Sequence, residues 1–374
     1  MALGTAGLLR ACGPAGTLTA PPPTSPMLPG PYETVQAMFG VDPLLPGMTQ
    51  FLTQRDIPVP VESYNVDCKN GVLVSQPLPA QVAAAVYYPR GNPGPFPVLL
   101  FAHGVRFLGA ACQTPFPVHQ DYQRVETILR HVASHGCVAV APDLSWLPPD
   151  GTVALRTAFD LRAQVLLGYY RYLVQLNATM FAGLLDLNRI ILAGHSTGGG
   201  SVTLAGPRLR SIVNLKSLSY ALLGPYFART DPAPNMVDVR DLLVMHGSLD
   251  TVSDGDARTS YLAGQPGKTL VTIPGANHFG YTHLCQLDND CSEAIVPDGK
   301  GTISRYGQQI TAAAYLVAML RYYARNEQDA GHYLNGDRQI EGLEIHGVTG
   351  IQIEQAGINP KAIVVKPSIS LAPR

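Results

Sequence analysis

The chain has 374 residues, a formal net charge of −1, 46% hydrophobic residues and only 14% charged ones. That length is ample for one large globular domain with a substantial core, and the sparse, balanced charge excludes the basic surface that a nucleic-acid partner needs. No apolar run approaches the ~18 residues of a membrane span, and 37 glycines with 32 prolines mark a loop-rich chain.

The first 30 residues are mostly Pro, Gly, Ala, Thr and Leu, with Arg10 as the one charge. Such a stretch buries too little apolar surface to offset the entropy of ordering, so residues 1–30 are expected to be a disordered or leader-like segment. Ala2 to Leu9 is too short and too poor in large side chains for a signal-peptide core. Residues 31–330 read as one α/β unit. Strands are expected within 60–88, ending in the run from Val82 to Tyr88, and at 97–102. A helix at about 119–134, a strand at 137–141 and a helix at about 154–177 follow. Val165, Tyr169, Leu173 and Leu176 keep one face of that helix. A strand at 189–193 leads into another helix. Strands near 211–219, 241–246 and 268–273 then alternate with helices near 254–264 and 304–326, the last packing Ile310, Ala314 and Val317. Alternation of this kind predicts a mostly parallel sheet covered on both faces. In 331–374, Leu343 to His346 and Ile351 to Glu354 alternate as half-buried strands do, and Ile363-Val364-Val365 follows. A β-rich appendage is expected there, seated on the main body, on a neighbouring subunit or over part of a pocket.

The chemistry gathers at the ends of these strands. Ile190-Ile191-Leu192-Ala193 runs into Gly194-His195-Ser196-Thr197-Gly198, followed by Gly199 and Gly200. This is the sequence form of a nucleophile elbow, in which a strand turns sharply into a helix and leaves the serine at the apex. Serine is a poor nucleophile without a base, and in this arrangement the partners follow in the order acid, then histidine. Asp250 follows the run Leu242 to His246, and His278 follows Thr269 to Ile273. Both sit on strand-end loops, where catalytic residues of α/β sheets gather. An oxyanion is expected to rest on the backbone N–H groups of Thr197 and of Val105, which follows the run Val98 to Ala102 and the His103-Gly104 turn. His103 is expected to fix its loop by hydrogen bonding, His195 to pack beside the nucleophile and His246 to bond within the sheet. Asp254 and Asp256 are alternative acids, but they fall at a helix start, where aspartate favours the dipole. Asp143 and Trp146 follow a strand toward the same face, so either could line the pocket. His119, His131, His135, His283, His332 and His346 carry no partner pattern.

The six cysteines are even in number, which permits bridges without establishing them. Cys137 falls in a buried strand pattern and reads as a free core thiol. Cys285 and Cys291 flank a short polar loop and form the best disulfide pair. Such a bridge, with the low charge, makes a secreted or extracytoplasmic protein the expectation. No Cys/His spacing completes a tetrahedral metal set, and Asp288, Asp290 and Glu293 lack the ligand pattern of a calcium loop.

These pieces carry a resemblance. The His103-Gly104 turn, Ala133 to Ala141 before Asp143, Asp186 to Ile190 leading into the elbow, Gly247 to Val252 and Gly275 to Phe279 resemble the α/β-hydrolases of the dienelactone-hydrolase-like group. Within it the chain is similar to bacterial cutinases and polyester hydrolases, chlorophyllases and platelet-activating-factor acetylhydrolases, over roughly residues 60 to 335. Gly198-Gly199-Gly200 is closest to the bacterial cutinases. The resemblance implies an α/β-hydrolase fold and serine ester hydrolysis by Ser196, Asp250 and His278, without cofactor or metal, on a small-molecule or polymeric ester. It also implies that Tyr226, after Pro225, flanks the substrate. Two features depart from the pattern. Dienelactone hydrolase proper uses a cysteine where this chain has Ser196. Val105 and Arg106 follow His103-Gly104, where polyester hydrolases place an aromatic.

The same three residue types would also serve an acyltransferase or a peptide or amide hydrolase. A non-catalytic binding protein on this scaffold would more often have lost the nucleophile or the histidine. One scaffold hosts many chemistries, so fold alone does not decide among them.

Overall fold

The computed structural model describes residues 25–39, 63–67, 72–76, 83–91, 94–104, 121–145, 147, 155–227, 236–253, 255–282 and 301–358. In chain order these form β1 (Thr34–Phe39), β2 (Ser63–Asp67), β3 (Val72–Gln76), β4 (Ala84–Pro89), β5 (Phe96–Ala102), α1 (Glu126–Ser134), β6 (Val138–Pro142), α2 (Leu155–Ala178), β7 (Leu185–His195) and α3 (Thr197–Ile212). Then come β8 (Ser217–Leu223), β9 (Leu242–Gly247), α4 (Asp256–Ala263), β10 (Lys268–Ile273), α5 (Arg305–Met319), α6 (Gly331–Leu334) and β11 (Gln352–Ala356). Among the described residues nine strands make one sheet in the order β1-β4-β6-β5-β7-β8-β9-β10-β11, and β2 and β3 pair as a separate antiparallel ribbon. The run from β6 to β10 is parallel. β1, β4 and β11 are antiparallel to their neighbours. The fold is therefore α/β, with a mostly parallel sheet. No helix of the described residues is long and apolar enough to cross a membrane.

The central strands are apolar throughout because both of their faces are covered. β5 illustrates the period of two: Val98, Leu100 and Ala102 join the cluster under α2 and α3, with Ala163, Leu166, Val202 and Ala205. Leu99 and Phe101 join the cluster under α1 and α5, with Ile128, Val132, Ile310 and Ala314. α5 starts at Ser304, whose Oγ accepts from the Gly307 N–H at 3.0 Å. A π turn, Leu320–Ala324, continues it. Cys137 is a free, buried thiol, and burial pushes its ionisation up. Cys285 and Cys291 lie outside the described residues.

The structure differs from the sequence expectations in four places. β1 was not expected; it pairs with β4 at the sheet edge. The expected strand near 211–219 begins only at Ser217, because α3 continues to Ile212. Leu343–His346 is a 3-10 turn rather than a strand. Gly342 and Gly347, both at positive φ, bracket it and bend the chain at each end, so Leu343 is buried while Ile345 is 77% exposed. The strand expected at 351–354 is β11, which adds to β10 and so seats this part of the C-terminal region on the main body. Its other expected strand, 363–365, lies outside the described residues.

The fourth difference is at the other end of the chain. Residues 1–24 lie outside the described residues, but Ser25–Glu33, part of which falls in the segment expected to be disordered, straps across α1. The Gly30 and Tyr32 N–H groups donate to Ser134 Oγ and O, at 2.9 and 3.1 Å. His131 Nε2–H donates to the Pro26 carbonyl at 2.7 Å, and His135 Nε2–H donates to that of Leu28 at 2.9 Å. Burial lowers both imidazole pKa values; His135, also facing His131, falls to about 4. A histidine depressed in the folded state binds its proton more readily when undocked. The fold around these histidines therefore keeps this contribution in full above the unfolded value of ~6.5 and loses it as pH falls toward 4. The loss is about 2 kcal/mol at pH 5 for His135 alone. Amide exchange over residues 25–34, corrected for intrinsic rates, is expected to lose protection at pH 5 relative to pH 7.5. His135→Gln, which can donate but does not titrate, should reduce that difference. Equal protection at the two pH values would separate the strap from these histidines.

Candidate active site

β7 and β5 lie side by side, and their carboxyl ends carry Ser196 and the His103-Gly104 turn. The chain switches direction across the sheet here, the place where open α/β sheets form a crevice. A Cβ built on Gly104 would lie 3.0 Å from Ser196 Cβ, so the two turns are in close approach. Ser196 stands between the last residue of β7 and the first of α3, with φ 56° and ψ −127°. A non-glycine residue at such angles costs about 1–3 kcal/mol and persists only where its surroundings fix it. Here the Ser196 N–H donates to Leu223 O at 3.0 Å, and Ser196 O accepts from the Gly199 and Tyr226 N–H groups at 2.9 and 3.1 Å. The turn closes only because position 198 has no side chain: a Cβ there would lie 2.0 Å from the Ala102 carbonyl oxygen. Thr197 is buried and opens α3, where amides have no intrahelical acceptor and the helix dipole is positive.

Three strand ends converge on one hydrogen-bonded relay. His278, after β10, has Nε2 2.9 Å from Ser196 Oγ and Nδ1 2.9 Å from Asp250 Oδ2. The carboxylate can only accept, so Nδ1 carries the proton and Nε2 is the free lone pair facing the hydroxyl. Asp250, after β9, is buried with its side chain fully enclosed. Oδ1 accepts from the N–H groups of Val252 and Ser253 at 3.0 and 2.8 Å, and Oδ2 also accepts from Ser253 Oγ–H at 2.6 Å. Burial pushes this carboxyl up, but the His278 contact and the Ser253 bonds together outweigh it and hold it well below the usual carboxylate range. Asp250 is therefore an anion under any condition in which the chain is folded near neutrality.

The imidazole is fixed through its backbone as well. His195 Nε2–H donates to the His278 carbonyl at 2.9 Å, and the two rings pack with centroids 4.9 Å apart. Burial, reinforced by the neighbouring His278, lowers the His195 pKa to about 3, so this ring is neutral and acts as a donor. Gln308, reaching in from α5, clasps Asn277 on both sides: Oε1 accepts from its N–H at 3.1 Å and Nε2 donates to its carbonyl at 2.6 Å. Asn277 Oδ1 in turn accepts from the Gly280 N–H at 2.8 Å.

The structure thus brings Ser196, Asp250, His278 and Thr197 together, and puts the half-buried Tyr226 one hydrogen bond from the elbow. Val105, Trp146 and Asp254 lie outside the described residues, as do Asp288, Asp290 and Glu293. Asp256 is not in the relay; its Oδ2 accepts from the Phe227 N–H at 2.9 Å and ties down the segment after Tyr226. His103 holds its loop: Nε2 accepts from the Leu144 N–H at 2.9 Å, which leaves Nδ1–H to donate to Gly104 O at 2.8 Å. Asp143 Oδ1 accepts from the Ser145 N–H at 2.9 Å. His246 has Nδ1 4.0 Å from Asp250 Oδ2, a contact at the site. Ser253, Gln308 and Asn277 were not singled out in the sequence. Of these, only Ser253 had a local signal, a serine three residues after an aspartate at a strand end, the spacing of a side-chain-capped turn. Among the described residues no group of three or more His, Cys, Asp or Glu could hold a metal ion.

Comparison with known proteins points to the same architecture. Residues 58–222 match the family model described as Chlorophyllase, a span that includes the elbow and ends before Asp250 and His278. Chlorophyllase type 0 of Chenopodium album is 32% identical over 111 residues, 29% of this chain. The chain spans only 28% of the length of that curated relative.

Proposed function

We propose that this chain, an α/β-hydrolase with a chlorophyllase-like region over residues 58–222, is a serine hydrolase of carboxylic esters. The observation that carries the reading is the unbroken relay from Ser196 Oγ through His278 to Asp250, with both links at 2.9 Å. His278 Nε2 takes the Ser196 proton as Oγ attacks the ester carbonyl, and Asp250 stabilises the imidazolium without itself becoming protonated. The oxyanion that forms is assigned to the Thr197 N–H at the start of α3 and to the N–H of Val105. Each such donor is typically worth about 3 kcal/mol in the transition state. The tetrahedral intermediate collapses, the alcohol leaves with the proton from His278, and an acyl-serine remains. Water, deprotonated by the same nitrogen, attacks it; the acid departs and Ser196 regains its proton.

The likeness to a chlorophyllase supports an ester over an amide as substrate, because breaking an ester asks less of the general acid. Labelling tests the nucleophile directly. A fluorophosphonate is expected to add one phosphonyl group per chain, on the peptide containing Ser196, and to abolish turnover of p-nitrophenyl esters in proportion. Label on another residue, or turnover that survives full labelling, would defeat the assignment. A p-nitrophenyl chain-length series beside a polyester film separates a small-ester hydrolase from a cutinase-like one, which alone releases soluble product from the film. An alcohol acceptor added to the same assay reveals acyl transfer.

A further inference from the structure

Oδ1 of Asp250 is already held by two backbone amides, from Val252 and Ser253. Two such bonds suffice to orient a carboxylate. The Ser253 hydroxyl reaches the other oxygen, Oδ2, at 2.6 Å, and that is the oxygen that takes the His278 Nδ1–H. Ser253 is fully buried. Its own carbonyl accepts from the Asp256 N–H at 3.0 Å, so the residue is fixed at the start of α4 independently of its side chain.

We propose that Ser253 is a positioning residue for the relay: its hydroxyl holds Asp250 Oδ2 and takes up part of its negative charge, and so sets how strongly the carboxylate pulls on the His278 imidazole. The proposal rests on the serine-hydrolase reading above. A charge-assisted O–H···O⁻ bond is short and strong, and one made to the shared oxygen competes with the bond to the imidazole. The other titratable groups facing this carboxylate are His278 itself, His246 of β9 at 4.0 Å, and the buried His195 and Tyr281, both of which feel its charge. These groups stay in place whichever residue stands at 253, so their influence is common to all the variants compared.

Ser253→Ala removes the hydroxyl and leaves the backbone N–H on Oδ1. Its thermal melt is expected to fall by a few degrees, the cost of losing one buried hydrogen bond to a carboxylate. With Oδ2 unshared, the carboxylate holds the imidazolium more tightly, so the acid limb of the kcat/KM profile should move to higher pH by about 0.5–1 unit. kcat on the plateau should fall about tenfold with KM little changed. Ser253→Thr, which restores a hydroxyl, should restore the limb, and Ser253→Cys, a weaker donor of similar size, should fall between. An NMR titration of the His278 imidazole gives the same comparison without turnover. Overlaid profiles and overlaid titrations for Ser253→Ala and the unaltered chain would overturn the positioning role while leaving the hydrolase reading intact. Absence of any Ser196-dependent turnover in the unaltered chain would instead defeat the hydrolase reading, and the NMR titration would then still decide whether Ser253 acts on His278 through Asp250. If Ser253→Ala fails to fold, the Thr and Cys variants carry the comparison, and identical limbs for both would count against the role.

Discussion

Ser196→Ala is expected to lower p-nitrophenyl ester hydrolysis by about five to six orders of magnitude while barely moving the melting temperature. The two halves of this expectation have separate causes. Activity is lost because the attacking oxygen is gone and the rest of the relay has no proton to move. Stability is kept because alanine meets the same backbone problem as serine: both are held at φ 56° by the bonds to Leu223, Gly199 and Tyr226. Ser196→Gly, which has no Cβ to strain, should melt higher than either by the equivalent of about 1 kcal/mol. Removing His278 should cost nearly as much activity as removing Ser196, and the double variant no more than either alone, because the relay works as one unit. Asp250→Asn should cost less, about four orders of magnitude, since the oxyanion donors and the base nitrogen remain. Turnover above about a thousandth of the original rate in Ser196→Ala would place the nucleophile elsewhere.

Much of this site is legible in the sequence because its parts are sterically or locally determined. Gly198 is forced by the approach of the Ala102 carbonyl, and so the elbow can be recognised from a pentapeptide. β5, β9 and the second half of β7 read correctly because strands covered on both faces are apolar runs, whereas the start of β7, with Asp186 and Asn188, escaped. β1 escaped for the opposite reason: Thr34 to Phe39 mixes Gln36 with apolar residues on an edge strand that is only partly buried. Leu343 to His346 has the alternation of a strand, but glycines only five positions apart terminate it first. The side chains that fix His278 are illegible by nature. His195 reaches across 83 residues and Gln308 across 31. Nothing near either one in sequence distinguishes it from a packing residue.

Gly224→Ala should separate the geometry of the relay from the stability of the fold. Gly224 follows β8 with φ +46°, and its N–H donates to Met245 O at 2.8 Å, so its backbone is tied to the strand before Asp250. A Cβ there would lie 2.9 Å from Asp250 Oδ2 and 3.2 Å from His278 Nδ1, against the bond that aligns the imidazole. The carboxylate has nowhere to retreat, since its side chain is fully enclosed and both oxygens are held by Val252 and Ser253. The methyl must therefore stretch the Asp250–His278 bond or push the β8 turn away from Ser196, whose N–H is bonded to Leu223 beside it. Either response misaligns the base, and kcat/KM is expected to fall about 10²–10³-fold, chiefly in kcat. The stability cost combines about 1 kcal/mol for a left-handed alanine with about 1–3 kcal/mol for the overpacking. Gly183→Ala is the matched control: it has φ +86° with nothing within 4 Å of the new Cβ, in the turn between α2 and β7. It should lose the backbone part of the stability and keep full activity. If the two variants lose activity equally, backbone strain rather than contact with the relay is responsible. If Gly224→Ala keeps the original rate, the carboxylate and imidazole are not held where a single methyl can reach them.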